Sequence, residues 1–159
     1  MKRLKYSLFV IALLSTFAYT QNSNNNSTTF KVQMTVTERC DIETGQTQDI
    51  DFGTIQRSSS NLTAYGSLNV SCTEGTPYAI TLHSDKALKN TQDNSVQIPY
   101  QLYQDEAYKV VWGNSSQEGF TQSGTGTDQP LKVWAKVEDG KTNVPAGIYT
   151  DTVVATVTY

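Results

Sequence analysis

The amino-acid sequence predicts an all-β fold, a sandwich or barrel of short strands. Three observations carry that expectation. Apolar and polar residues alternate with period two in six separate segments, the pattern of strands with one buried face. Turn residues fall between the segments, as Gly75-Thr76-Pro77, Asp139-Gly140 and Pro145-Ala146-Gly147. Beyond the first twenty residues, no window keeps the three-to-four spacing of an amphipathic helix.

The chain opens differently. Lys2, Arg3 and Lys5 precede the apolar run Leu8 to Leu14, and small residues follow around Ala18 and Thr20. Basic, then apolar, then small is the order of a secretory signal peptide, expected over residues 1–20 with cleavage after Ala18 or Thr20. The apolar core is too short to cross about 30 Å of hydrocarbon. No second apolar run follows, so no membrane insertion is expected of the mature chain.

Beyond residue 20 the chain holds 9 Lys/Arg against 15 Asp/Glu, a net charge of −6. An acidic surface without a basic cluster repels phosphate backbones, which argues against nucleic acid as a partner. Export places Cys40 and Cys72 in an oxidising compartment, where a lone pair of cysteines is expected to form a disulfide. A zinc site would need two further ligands, and the single histidine, His83, supplies one.

The elements follow in order. Gln21 to Thr29 is almost entirely Asn, Ser, Thr and Gln, a composition that cannot bury a core and reads as a flexible spacer. Phe30, Val32, Met34 and Val36 then alternate with Lys31, Gln33, Thr35 and Thr37, as a strand with one apolar face. Leu68, Val70 and Cys72 share the face of a second strand, and Tyr78, Ile80 and Leu82 that of a third. Val96, Ile98, Tyr100 and Leu102 form a fourth, with Pro99 arguing for a sheet edge or a strand start. Leu131, Val133, Ala135 and Val137 mark a fifth, with Trp134 on the opposite face. The last strand is expected to run unbroken through Tyr149, Val153, Ala155, Val157 and Tyr159. Gly113 to Gln129 reads as a long exposed loop or irregular hairpin, interrupted by Phe120.

Catalytic chemistry finds no footing in this pattern. Nucleophilic catalysis needs a Ser or Cys beside a base, and His83 sits alone at a strand end. Asp49 and Asp51 alternate across Ile50 and offer a carboxylate pair, but in that setting they read as a solvated face. No glycine-rich phosphate loop is present. Asn-x-Ser/Thr triplets at Asn25, Asn26, Asn61, Asn69 and Asn114 follow from an Asn- and Ser/Thr-rich composition. A non-enzymatic protein without cofactors is expected.

Four strings carry a resemblance. They are Asp51-Phe52-Gly53; the run Leu68 to Tyr78, reading LNVSCTEGTPY; Tyr100 to Asp105, reading YQLYQD, with Val111-Trp112-Gly113 after it; and Val144 to Val153, reading VPAGIYTDTV. In that order and spacing the chain resembles the spore coat protein U domain family, which includes subunits of archaic, Csu-type chaperone–usher pili. Two departures stand out. Trp134-Ala135 occupies a strand where the family often has a glycine, and the Asn-rich spacer is not a family feature.

The resemblance implies an immunoglobulin-like sandwich that lacks its final strand, with a spacer and donor strand at 21–37 and the β-sandwich at 38–159. It implies a structural pilus subunit, exported through the periplasm to a cell-surface fimbrium, with roles in surface adhesion and biofilm formation. The partners implied are a periplasmic chaperone, an outer-membrane usher and other pilus subunits. Phe30, Val32, Met34 and Val36 would be the donor strand. The acceptor groove, occupied first by the chaperone, would be flanked by Tyr149, Val153, Ala155, Val157 and Tyr159. Two other readings remain open at this point. The alternation of Phe30 to Val36 equally fits the first strand of a complete sandwich in a monomeric secreted or spore-coat protein. A carbohydrate-binding module using Trp112 and Trp134 is the third.

Overall fold

The computed structural model describes residues 24–159; the expected signal peptide lies outside them. Residues 24–35 carry no regular secondary structure and fall outside the compact unit Val36–Tyr159. The alternating segment therefore belongs to no strand within this single chain. Phe30, Val32, Met34 and Val36 are 85%, 84%, 84% and 76% exposed. A strand needs a neighbour for its ladder, and within the single chain these residues pair with none.

The compact unit is two antiparallel sheets. The larger is assembled from β1 (Cys40–Ile42), β2 (Thr63–Cys72), β4 (Ala87–Asn90), β5 (Gln97–Tyr103), β7 (Asp128–Val137) and β8 (Tyr149–Thr150). Their spatial order is β1-β2-β7-β5-β4-β8. The smaller holds β6 (Phe120–Ser123), β3 (Pro77–His83) and β9 (Val154–Thr158), in the order β6-β3-β9. Inward residues of both sheets make the core, where Val70, Ile80, Leu82, Leu102, Trp112 and Ala135 are 0–2% exposed. The Trp112 indole fills the centre, its Nε1–H donating to the Ile80 carbonyl at 2.8 Å while its ring packs on Phe120 at 5.6 Å.

Three sequence expectations need correction. Pro99 lies in β5, which is paired on both sides rather than at an edge. It is tolerated because β7 ends at Val137, opposite Tyr100, so the missing N–H falls at the end of that ladder. The last apolar set is not one strand. Tyr149 pairs with Asn90 in the larger sheet, Ala155 and Val157 pair with Leu82 and Ile80 in the smaller, and Val153 lies in the crossover between them. Side chains alternate in phase across that crossover, which is why the pattern reads as continuous. Finally, Phe120 opens a true strand, β6, paired with β3 through Ile80.

Cys40 and Cys72 are bonded to each other, as expected, across a directly opposed pair of β1 and β2 with Cα atoms 4.1 Å apart. The bond fixes the start of β1 to the end of β2. Between β1 and Gln48 the chain leaves the sheet in a short 3-10 turn, Thr44–Gln46, then returns to pair Gln48 with Ser67. Gly66 makes that return possible, because a β-carbon there would collide with the Gln48 backbone carbonyl and stand 2.8 Å from the Ile50 side chain.

The crossover into β9 is held by a partly buried clamp. Tyr100 of β5 donates its hydroxyl to the Asp151 carboxylate at 2.8 Å and lies 3.3 Å from the Ser84 hydroxyl. Asp151 also accepts from the Thr152 amide at 2.8 Å. Burial, opposed by the Ser84 contact and reinforced by the Asp151 carboxylate, holds the Tyr100 pKa far above its ordinary value of 10.0.

Two outcomes are expected. Replacing both cysteines with serine should lower unfolding stability by about 3.5–4 kcal/mol, on the chain-entropy treatment of the closed loop, read by urea unfolding of the chain from residue 21 onward. Tyr100→Phe should lower stability by about 1.5–3 kcal/mol at neutral pH, since it removes a hydrogen bond to a charged partner. Because the folded-state pKa is raised, the unfolded chain loses the Tyr100 proton first. That contribution is complete below about pH 10 and falls as pH rises above it, with a slope approaching 1.4 kcal/mol per pH unit. Urea unfolding between neutral and strongly alkaline pH should show a shallower alkaline decline in the Phe variant.

Candidate subunit-interaction edge

β9 is paired with β3 on one side, and among the described residues it has no ladder on the other. Each strand residue offers one N–H and one C=O, so such an edge presents a row of backbone groups satisfied only by water. The opposite wall is β1, which terminates the larger sheet. β1 lies close to β9, but no hydrogen-bonded ladder joins them.

The core is only partly covered along this seam. Ala155 and Val157 of β9 point inward and pack on the core, yet stay only half-buried. Ile42 of β1 and Leu68 of β2 behave the same way, although their neighbour Val70 is fully covered. Leu68 faces inward, in phase with Val70 and Cys72, and stands opposite Leu131. The excursion at Thr44–Gln46 takes the chain out of the sheet edge between Ile42 and Gln48, next to Leu68. The result is an apolar strip bounded by two strand edges.

Of the residues expected to flank a groove, Ala155 and Val157 lie on this strip. Tyr149 does not. It is half-buried in the other sheet, where its hydroxyl donates to the Pro145 carbonyl at 2.7 Å and so shapes the Pro145-Ala146-Gly147 turn. Val153 is 37% exposed in the crossover, and Tyr159 is 56% exposed beyond the end of β9. Tyr159 and Thr158 help line a depression of about 550 Å³ at that end, with Tyr78, Ala79 and Gln122. Ile42 and Leu68 are the wall that sequence reasoning missed. The signal for Leu68 was present, since it alternates with Val70, but its partial exposure depends on a chain segment twenty residues away.

The polar residues weighed for catalysis are accounted for locally. Asp51 accepts the Gly53 amide at 2.7 Å, and Gly53 takes a positive φ of 69°, so Asp51-Phe52-Gly53 is a turn with Phe52 packed on the core. Asp49 and His83 are exposed. Ser84, beside His83, accepts from the Lys86 amide and contacts Tyr100. Asp85 pairs with Lys89, which holds the Asp85 pKa low and the Lys89 pKa high through a direct hydrogen bond. Among the described residues no group of three or more His, Cys, Asp or Glu converges on a point. Trp112 is fully enclosed, so the paired-tryptophan sugar platform does not form; Trp134 lies outside, on the other face of β7.

Comparison with known proteins fits this architecture. The chain is similar to Protein U of Myxococcus xanthus, at 35% identity over 107 residues, covering 59% of each chain. The chain thus matches about three-fifths of the length of that relative. In fold it is similar to the crystal structure of the CsuC–CsuE chaperone–tip adhesion subunit pre-assembly complex, from archaic chaperone-usher Csu pili of Acinetobacter baumannii. The TM-score is 0.59 at 24% identity, over 79% of this chain and 41% of that one. The Spore Coat Protein U domain pattern matches residues 26–156, nearly all of the described chain. On that match, with the all-β sandwich and the Cys40–Cys72 bond, the chain belongs to the Spore Coat Protein U domain family.

Proposed function

We propose that this protein is a structural subunit of a chaperone–usher surface fibre, exported by residues 1–20 and polymerising by donor-strand exchange. The observation that carries the reading is a pair of complementary deficits. Four alternate apolar side chains, Phe30, Val32, Met34 and Val36, stand exposed in a segment without a ladder. Elsewhere, β9 has an edge without a ladder among the described residues, beside the half-buried Ala155 and Val157. Each deficit is what the other would satisfy if the segment of one copy lay along β9 of the next.

The physics favours such an exchange. Strand addition satisfies the backbone groups of both partners and places alternate side chains inward. Burying four such side chains contributes about 6–12 kcal/mol before ordering entropy is subtracted, at about 1.5–3 kcal/mol each. The contact joins one end of a subunit to a different feature of its neighbour, so it is heterologous and propagates into a filament. In this reading a periplasmic chaperone covers the β9 edge first, an outer-membrane usher directs the replacement, and the fibre serves adhesion and biofilm formation. Residues 21–37 act as spacer and donor, and 38–159 as the receiving sandwich. The similarity to a chaperone–subunit complex supports the fold of that sandwich.

The test is a fusion. A second copy of residues 29–37, joined after Tyr159 through a flexible linker, should fill the strip in cis and give a stable monomer. Its melting temperature should exceed that of the unfused exported protein by about 10 °C or more, as expected for a gain of a few kcal/mol. An unfused protein that is already monomeric and melts at the same temperature would overturn the reading.

A further inference from the structure

The outer face of the six-stranded sheet carries an aromatic array that the proposed polymerisation does not use. Tyr65 of β2, Trp134 of β7 and Tyr103 of β5 are directly opposed across three strands, so they form one row on one face. The Tyr65 and Trp134 rings lie 5.0 Å apart, tilted by 48°. Tyr108 completes the set from the turn after β5, edge-on to Trp134 at 6.4 Å and to Tyr103 at 5.5 Å. Tyr65 is 46% exposed, so the row is open to solvent at that end.

The rows on either side are polar, about 7 Å away on the same face. One pairs Ser67 with Lys132; the other runs Thr63, Lys136, Gln101. The Lys132 ammonium rests 4.9 Å from the Tyr65 ring centre and 5.3 Å from that of Trp134, and the Lys136 ammonium 5.9 Å from Tyr108. Among the described residues the ion pairs are Arg39–Asp41 and Lys89–Asp85, so neither lysine faces a carboxylate partner. Two cations free of carboxylates stand out on a chain whose net charge beyond residue 20 is −6.

Tyr108 shows that the array is built. The Asp105 carboxylate accepts the amides of Lys109 at 3.0 Å and Val110 at 2.7 Å, and the Asp105 carbonyl that of Tyr108 at 3.1 Å. That turn places Tyr108 at a positive φ of 56°. A left-handed conformation suits Gly or Asn and costs another L-residue about 1–2 kcal/mol. Strain of this kind gathers at ligand clamps. Here it sets a phenol ring perpendicular to Trp134.

We propose that this face binds an anionic saccharide, a uronic-acid chain laid along the aromatic row. The Lys132 ammonium swings off the Tyr65 and Trp134 rings to meet a sugar carboxylate, pyranose C–H faces take its place on those rings, a second carboxylate reaches Lys136, and Thr63 and Ser67 meet the ring hydroxyls. The site is independent of the polymerisation reading, since it occupies the opposite face of the larger sheet from the core.

The experiment is calorimetric titration of the exported full chain with an oligogalacturonate, a neutral glucan oligomer of equal length, and polyglutamate. Binding of the oligogalacturonate is expected, at least tenfold tighter than either control. Tyr65→Thr, a substitution at an exposed strand position, should weaken it tenfold or more, as should Lys132→Gln combined with Lys136→Gln. Three results would overturn the proposal: no binding; equal binding of polyglutamate, which makes the effect one of charge alone; or unchanged binding in folded variants. Sedimentation provides a fourth. If Tyr65→Thr abolishes a self-association of the parent protein, the face is a contact between copies.

Discussion

A β-strand with one neighbour leaves half its backbone hydrogen bonds to be made by something else, and β9 is such a strand. Its ladder with β3 runs from Val154 to Thr158. The other edge borders a seam where Ile42, Leu68, Ala155 and Val157 stay partly exposed while the centre of the sandwich is sealed. The disulfide fixes one wall of the seam, β1, to β2. The Tyr100–Asp151 clamp holds the crossover from which the other wall starts. Neither device closes the seam. Both keep its walls in place, as the proposed strand exchange requires.

Edges of this kind usually end in aggregation unless they are short, charged, twisted or covered. β9 is short, at five residues, but Val154, Ala155, Thr156, Val157 and Thr158 carry no charge and no proline. An uncharged β-branched strand is well suited to pairing with another chain, and poorly suited to remaining alone. The exposed apolar segment at Phe30 to Val36 poses the same hazard from the other side. Reading the two as partners in neighbouring copies gives one explanation for both.

Much of this was legible in the sequence because strands announce themselves locally. Period-two alternation marked β2, β3, β5 and β7, and the single cysteine pair marked the bond between β1 and β2. What escaped depends on contacts between distant residues. The sheet switch between Tyr149 and Val154 keeps the alternation in phase, so nothing local separates Tyr149 from Val157. Pro99 misled because its harmlessness follows from where β7 ends. The two tryptophans look alike in sequence, yet Trp112 plugs the core through the Ile80 carbonyl and Trp134 faces out beside Tyr65. The candidate site was half visible: Ala155 and Val157 follow from alternation, whereas Ile42 and Leu68 need the excursion at Thr44–Gln46 to leave them uncovered.

The destination of the exposed segment decides the matter, and photocrosslinking reads it in any register. A photoactivatable benzophenone side chain in place of Val32, in the exported and assembled protein, should give covalent oligomers on irradiation. Their crosslinks should map by mass spectrometry to β9 or β1 of a second chain. Crosslinked species that all retain the mass of one chain, with Val32 joined to its own sandwich, would contradict strand exchange between subunits.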